Sequence, residues 1–131
     1  MAESKPAGKI SNRRLQHRFI LPPDADAALH FHYPPPNGPR LEARVRDVSL
    51  SGISMLLPQE LSGIDAGDIV KGIEVRVERK TFRGDLLVMH VSPFRDQATV
   101  CGGLFYPEGD EDLITIRLVV RALEAASHAV S

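Results

Sequence analysis

At 131 residues with a single cysteine, the chain suits one domain that can bury a core without disulfides or metal, and a lone Cys101 cannot form an internal disulfide, which fits a reducing cytoplasm. No apolar run approaches the roughly 18 residues a membrane helix needs, and Met1 to Ile10 lacks the apolar core of a signal peptide, so the expectation is a cytoplasmic protein without membrane insertion. The net charge of −1 hides a split: residues 1–18 hold five basic residues against one acidic, leaving eleven basic and sixteen acidic residues for the remainder, so a basic arm on an acidic body suits an anionic ligand.

Residues 1–12 are small, polar and charged, with Pro6 and Gly8, and with the arginine-bearing stretch up to residue 18 they form an expected flexible N-terminal arm. Phe19, Ile20 and Leu21 anchor the chain where it meets the body, and Pro22-Pro23 keeps that segment extended. From Ala27 to Tyr33 apolar and polar residues alternate, which predicts a first barrel strand. Pro34-Pro35-Pro36-Asn37-Gly38-Pro39 reads as a stiff turn, its prolines favouring polyproline II and Asn37-Gly38 reversing the chain. Leu41, Ala43 and Val45 alternate with Glu42, Arg44 and Arg46, a second strand. Ile53, Met55 and Leu57 form a third, ended by Pro58.

Residues 59–68, with Gly63 and Gly67, read as a connecting loop. A fourth strand is predicted over Ile69 to Lys80 and a fifth over Arg83 to Ser92. The run Leu86 to Met89 is apolar on both faces, so something should cover its outer face. Gln97 to Tyr106 predicts a sixth strand, and Gly102-Gly103 within it marks a bend or a close approach. Leu113, Ile116, Val120 and Leu123, with Val119 beside them, follow helical spacing over Asp110 to Ala126. Asp110 suits the N-cap, and the neighbouring acidic residues suit the positive end of the helix dipole. The fold class that follows is mainly β: a six-stranded antiparallel barrel with a C-terminal helix. Domain organisation is an arm over 1–18, a barrel plus helix over 19–126 and a tail over 127–131.

Two motifs carry the chemistry. Arg14 and Arg18 stand four apart in Arg13-Arg14-Leu15-Gln16-His17-Arg18, and Asp47-Val48-Ser49-Leu50-Ser51-Gly52 joins the second and third strands. Asp47 and Ser49 are two apart, so an extended backbone puts both on one face. Gly52 permits a turn or a close approach that a Cβ would block. Asp, Ser and Gly are also ordinary hairpin residues, so the second motif alone does not decide between a site and a turn.

Together, RxxxR before the first strand and DxSxxG after the second make the chain resemble a PilZ domain, over roughly residues 12 to 125. That resemblance implies a six-stranded barrel with a C-terminal helix, no catalytic activity and no cofactor, and cyclic di-GMP as the ligand. It further implies ligand contacts from Arg14, Arg18, Asp47, Ser49 and Gly52, with the arm closing over a ligand that rests on the barrel. An arginine before the first motif, here Arg13, goes in similar proteins with an intercalated pair of ligand molecules. Alternatively Arg13 faces solvent, because adjacent side chains on an extended arm point opposite ways. Family members act on flagellar motors, exopolysaccharide synthesis, pili or transcription, which implies an unidentified downstream protein partner and a role in motility or biofilm regulation.

The residue types fit that ligand. Arginine forks bond phosphate oxygens or guanine O6 and N7 bidentately and stack on purines. An ionised carboxylate only accepts, so Asp47 suits the N1–H and N2–H₂ donors of guanine. Ser49 can donate or accept, and Gly52 keeps the backbone clear. His30 and His32, with His90 or Cys101, could be imagined as metal ligands, but no CxxC or carboxylate cluster accompanies them. A nucleic-acid-binding barrel is disfavoured by few aromatic residues, no Trp and an acidic body. A protein-interaction adaptor is the other alternative.

Overall fold

A computed structural model of the chain describes residues 17–57, 63–95 and 98–130. The strands are β1 (Phe19–Ile20), β2 (Ala27–His32), β3 (Arg40–Val48), β4 (Gly52–Leu57), β5 (Ile69–Val77), β6 (Lys80–Pro93) and β7 (Thr99–Pro107), followed by helix α1 (Asp110–Val130). Neighbours in the sheet run β1-β3-β2-β5-β6-β7-β4, and β3 also pairs β4, which closes six strands into an antiparallel barrel with β1 outside it. The six expected barrel strands are present in the expected order. The short β1 is the apolar anchor of the arm, drawn into the sheet by pairing with the end of β3.

Alternation fills the barrel. Leu29 and Phe31 of β2, Val45 of β3, Met55 of β4, Ile73 and Val75 of β5, Phe82, Leu86 and Val88 of β6 and Cys101 of β7 all point inward and are buried. β-Branched and aromatic side chains dominate because they pack well on a pleated, half-buried surface. Inside this core, burial and then the nearby Asp68 carboxylate push the Cys101 thiol up from 9.0 to about 11, so it stays a neutral core group.

Three expected boundaries shift, each for a local reason. The fourth strand stops at Val77 and the fifth starts at Lys80 because Glu78 and Arg79 form a tight turn with φ of 51° and 74°. That backbone suits Gly or Asn, so nothing in Glu-Arg advertises it. The helix runs on to Val130, past Ala126 and over positions 127–130 of the expected tail; Ala125 and Ala126 are strong helix formers. At its start Asp110 is already helical, and the capping contact comes from Asp112. One oxygen of Asp112 accepts from Gly109 N–H at 3.0 Å and the other from Arg83 N–H at 2.8 Å, tying the helix start to β6.

That tether sets the helix over one end of the barrel. Ile116, Val119 and Val120 are buried, whereas Leu113, expected on the same face, is 38% exposed at the rim. Phe82 and Phe105 meet edge to face at 5.5 Å under Ile116. The helix closes an end of the barrel and leaves the outer face of β6 uncovered among the described residues. Met89 is 56% exposed there.

Candidate functional site

The hairpin between β3 and β4 is built by Ser49. Its hydroxyl oxygen accepts from Gly52 N–H at 3.0 Å and Ser51 N–H at 3.3 Å, while its own N–H donates to the Gly52 carbonyl at 2.9 Å. Ser49 is therefore buried and engaged in the turn, a local alternative to the ladder that short hydroxyl side chains favour. Gly52 is required by a neighbouring backbone: a Cβ there would lie 2.6 Å from the Gly103 carbonyl oxygen. The close approach expected at Gly102-Gly103 is also present. A Cβ on Gly103 would collide with the Leu87 carbonyl, and one on Gly102 would lie 2.8 Å from His90 Cε1.

Asp47 reaches the outer face through a β-bulge. Val45 pairs Met55, but Asp47 pairs Ser54, with a register shift between Val45 and Asp47. Simple alternation from buried Val45 would drive Asp47 into the apolar core. The extra residue, Arg46, turns Asp47 outward and leaves Val48 free to re-enter the core. The same device recurs on β6, where the register shifts between Val88 and His90 and Met89 is the extra residue. Val88 is fully buried, whereas His90 is exposed on the outside.

The two bulges align one row across four strands. Asp47 pairs Ser54, Ser54 pairs Gly102 and Gly102 pairs His90. Three strand spacings make the row roughly 14 Å long. A carboxylate and a hydroxyl stand at one end and an imidazole at the other, over a glycine floor. Asp47 Oδ2 lies 3.2 Å from Arg46 Nη1. Asp47 Oδ1 and Ser54 Oγ are the buried side-chain polar atoms without a hydrogen-bond partner among the described residues. Such orphans are rare because each costs the desolvation of the group.

An open cleft of about 440 Å³ lies over this row, with Met89 and Leu104 as apolar walls. Arg18 lines it too. Its position follows from β1: Phe19 pairs Val48, Ile20 pairs Asp47, and Leu21 N–H donates to the Arg46 carbonyl at 2.9 Å. The chain leaves the sheet beside Asp47, with the ring of His17 against that of Phe19 at 4.8 Å. Of the residues singled out from sequence, Arg18, Asp47, Ser49 and Gly52 thus meet in one cleft. Arg13 and Arg14 lie outside the described residues. Sequence reasoning passed over Ser54 and weighed His90 only as a metal ligand. Their signal is the bulge, which leaves no mark in an apolar–polar alternation.

The molecule is thus a small antiparallel barrel whose outer face carries a cleft edged by an arginine, a carboxylate and an imidazole. The fold is that of a PilZ domain. The PilZ domain of Escherichia coli YcgR with c-di-GMP superposes with a TM-score of 0.72 at 17% identity, covering 89% of this chain and 95% of that one. MrkH from K. pneumonia in complex with c-di-GMP gives 0.75 at 14% identity, covering 88% of this chain and 54% of MrkH. The Bacillus subtilis inhibitor of motility MotI/DgrA gives 0.67 at 11% identity, covering 89% and 52%. The chain therefore spans about half the length of MrkH and MotI/DgrA. No protein family's sequence model matches it, and no curated protein does.

Proposed function

We propose that this protein is a receptor for cyclic di-GMP, without catalytic activity of its own, that passes ligand binding to a downstream protein. The observation that carries the reading is Asp47 Oδ1, which has no hydrogen-bond partner among the described residues, a buried acceptor at the edge of a cleft that also receives Arg18. Guanine offers adjacent N1–H and N2–H₂ donors that suit a carboxylate, and the phosphates suit arginine. Support from likeness is that two structural neighbours, YcgR and MrkH, are described with this nucleotide.

In this reading Asp47 takes a guanine edge, and Arg14 and Arg18 bind phosphate or stack on a base. Ser49 and Gly52 hold the turn and the backbone approach that keep Asp47 in place. The relay runs through the arm: Arg18 adjoins β1, so drawing Arg18 onto a ligand biases the segment that leads into the barrel. A ligand shifts such an equilibrium only by its differential affinity for the two arrangements.

The test is equilibrium binding with arm variants. Arg14→Ala and Arg18→Ala each remove charge-assisted contacts worth about 1.5–3 kcal/mol, so affinity should fall by roughly 10- to 150-fold while the melting temperature of the free protein stays unchanged. Val75→Ala, in the buried core, should act through stability alone. Normal binding by both arginine variants would refute the assignment of the arm.

Stoichiometry tests Arg13. Two stacked ligands bring four phosphates together, and an added guanidinium offsets their repulsion. Native mass spectrometry should show two ligands per chain, and Arg13→Leu should reduce this to one with binding retained. A wild-type value of one, unchanged by Arg13→Leu, would leave Arg13 as an ordinary solvated charge.

A further inference from the structure

We infer that His90 is a further ligand-binding residue, holding a phosphate of the bound nucleotide at the end of the cleft opposite Asp47, and that its protonation makes affinity rise as pH falls. The inference rests on the proposed nucleotide reading and adds to it a residue outside both sequence motifs.

The argument begins with the β6 bulge. Without the extra residue Met89, His90 would follow Val88 into the apolar core; with it, His90 lies on the outer face in register with Gly102. The ring sits directly beside the glycine, since a Cβ on Gly102 would meet Cε1 at 2.8 Å and Nε2 at 3.0 Å. A side chain at position 102 would displace the imidazole from the row. Two bulges, on β3 and β6, thus aim two polar groups at one cleft from its two ends. Bulges re-aim side chains in this way beside functional sites.

The two ends differ in chemistry. Asp47 only accepts, so it suits the donor edge of guanine. His90 can donate, and as imidazolium it donates from both nitrogens with a positive charge, which suits a phosphodiester oxygen. The row of roughly 14 Å is long enough to separate a base from a phosphate within one ligand. Among the described residues the groups facing His90 across the cleft are few. Gly102 on β7 brings no side chain, Ser54 on β4 is uncharged, Asp47 lies across the row with Arg46 on it, and Arg18 edges the cleft from the arm. Histidine is the side chain whose charge ordinarily changes between pH 5 and 8, whereas the ligand's phosphodiesters stay singly anionic across that range.

The test is the dissociation constant of cyclic di-GMP at pH 5.5, 6.5, 7.5 and 8.5 for the full chain, its His90→Gln variant and a His17→Gln control. Charged hydrogen bonds are about twice as strong as neutral ones, so wild-type affinity should rise by about five- to tenfold from pH 8.5 to 5.5. His90→Gln should bind with a flat profile, close to the wild type at pH 8.5. His17→Gln should keep the wild-type slope, which assigns the titration to His90. Equal slopes in wild type and His90→Gln would overturn the role of His90 while leaving the nucleotide reading intact. A slope lost in His17→Gln alone would move the titration to the arm and overturn it as well. A wild type that binds at no pH would overturn both.

Discussion

Phe82→Ala is expected to destabilise the protein by about 3–5 kcal/mol, the largest single effect on folding. The ring is 2% exposed and packs edge to face on Phe105 at 5.5 Å, between the barrel interior and Ile116 of the helix. Its removal opens a cavity where the helix closes the barrel, and neighbours fixed by sheet hydrogen bonds cannot collapse to fill it. Urea denaturation of wild type and variant, with the slope of the transition compared, measures the loss. A change below about 1 kcal/mol would mean that this helix–barrel contact contributes little, since even a volume-conserving core swap costs up to about 1.5 kcal/mol.

Asp47→Ala is expected to have the reverse profile: affinity for cyclic di-GMP falls by roughly 10- to 150-fold, while stability holds or rises slightly. Sequence reading links the DxSxxG motif to a turn, so loss of turn stability is the naive expectation for Asp47. The turn is instead held by the Ser49 hydroxyl, and Asp47 contributes a buried oxygen with no partner among the described residues. Removing that carboxylate relieves a desolvation cost and gives up a pair with a half-buried Arg46. Ser49→Ala should behave oppositely in stability, because it strips the Gly52 and Ser51 N–H groups of their acceptor. The two variants compared by thermal melt and by titration separate the acceptor of the motif from its scaffold. Asp47→Ala that melts well below wild type and binds normally would reverse those roles.

What was legible in the sequence was whatever depends on regular alternation. Leu29 and Phe31, or Ile73 and Val75, declare their strands because a period of two is enforced along the whole element. The barrel strands, their order and the terminal helix follow from such runs. The site was legible as a motif at Asp47, Ser49 and Gly52 and not as a geometry. The outward turn of Asp47 depends on Arg46 being the extra residue of a bulge, and that of His90 on Met89, and both hinge on register with a partner strand far along the chain. Likewise the double apolar run at Leu86 to Met89 suggested a cover for the sheet, whereas the bulge turns Met89 into a wall of the cleft. Gly52 and Gly103 could be recognised as close approaches, but the atoms they approach, on β7 for Gly52 and on β6 for Gly103, required the fold. The Asp112 tether was hidden because three acidic residues in succession offer equal caps, and only the contact with Arg83 N–H distinguishes one.

The most direct test of the central claim is calorimetric titration of the full chain with cyclic di-GMP, with GTP and a short RNA as controls. Saturable binding of cyclic di-GMP, with no comparable heat from GTP or RNA, is the predicted result. Absence of heat and of NMR shifts with cyclic di-GMP, alongside clear binding of RNA, would contradict it and make the basic arm and barrel a nucleic-acid-binding surface.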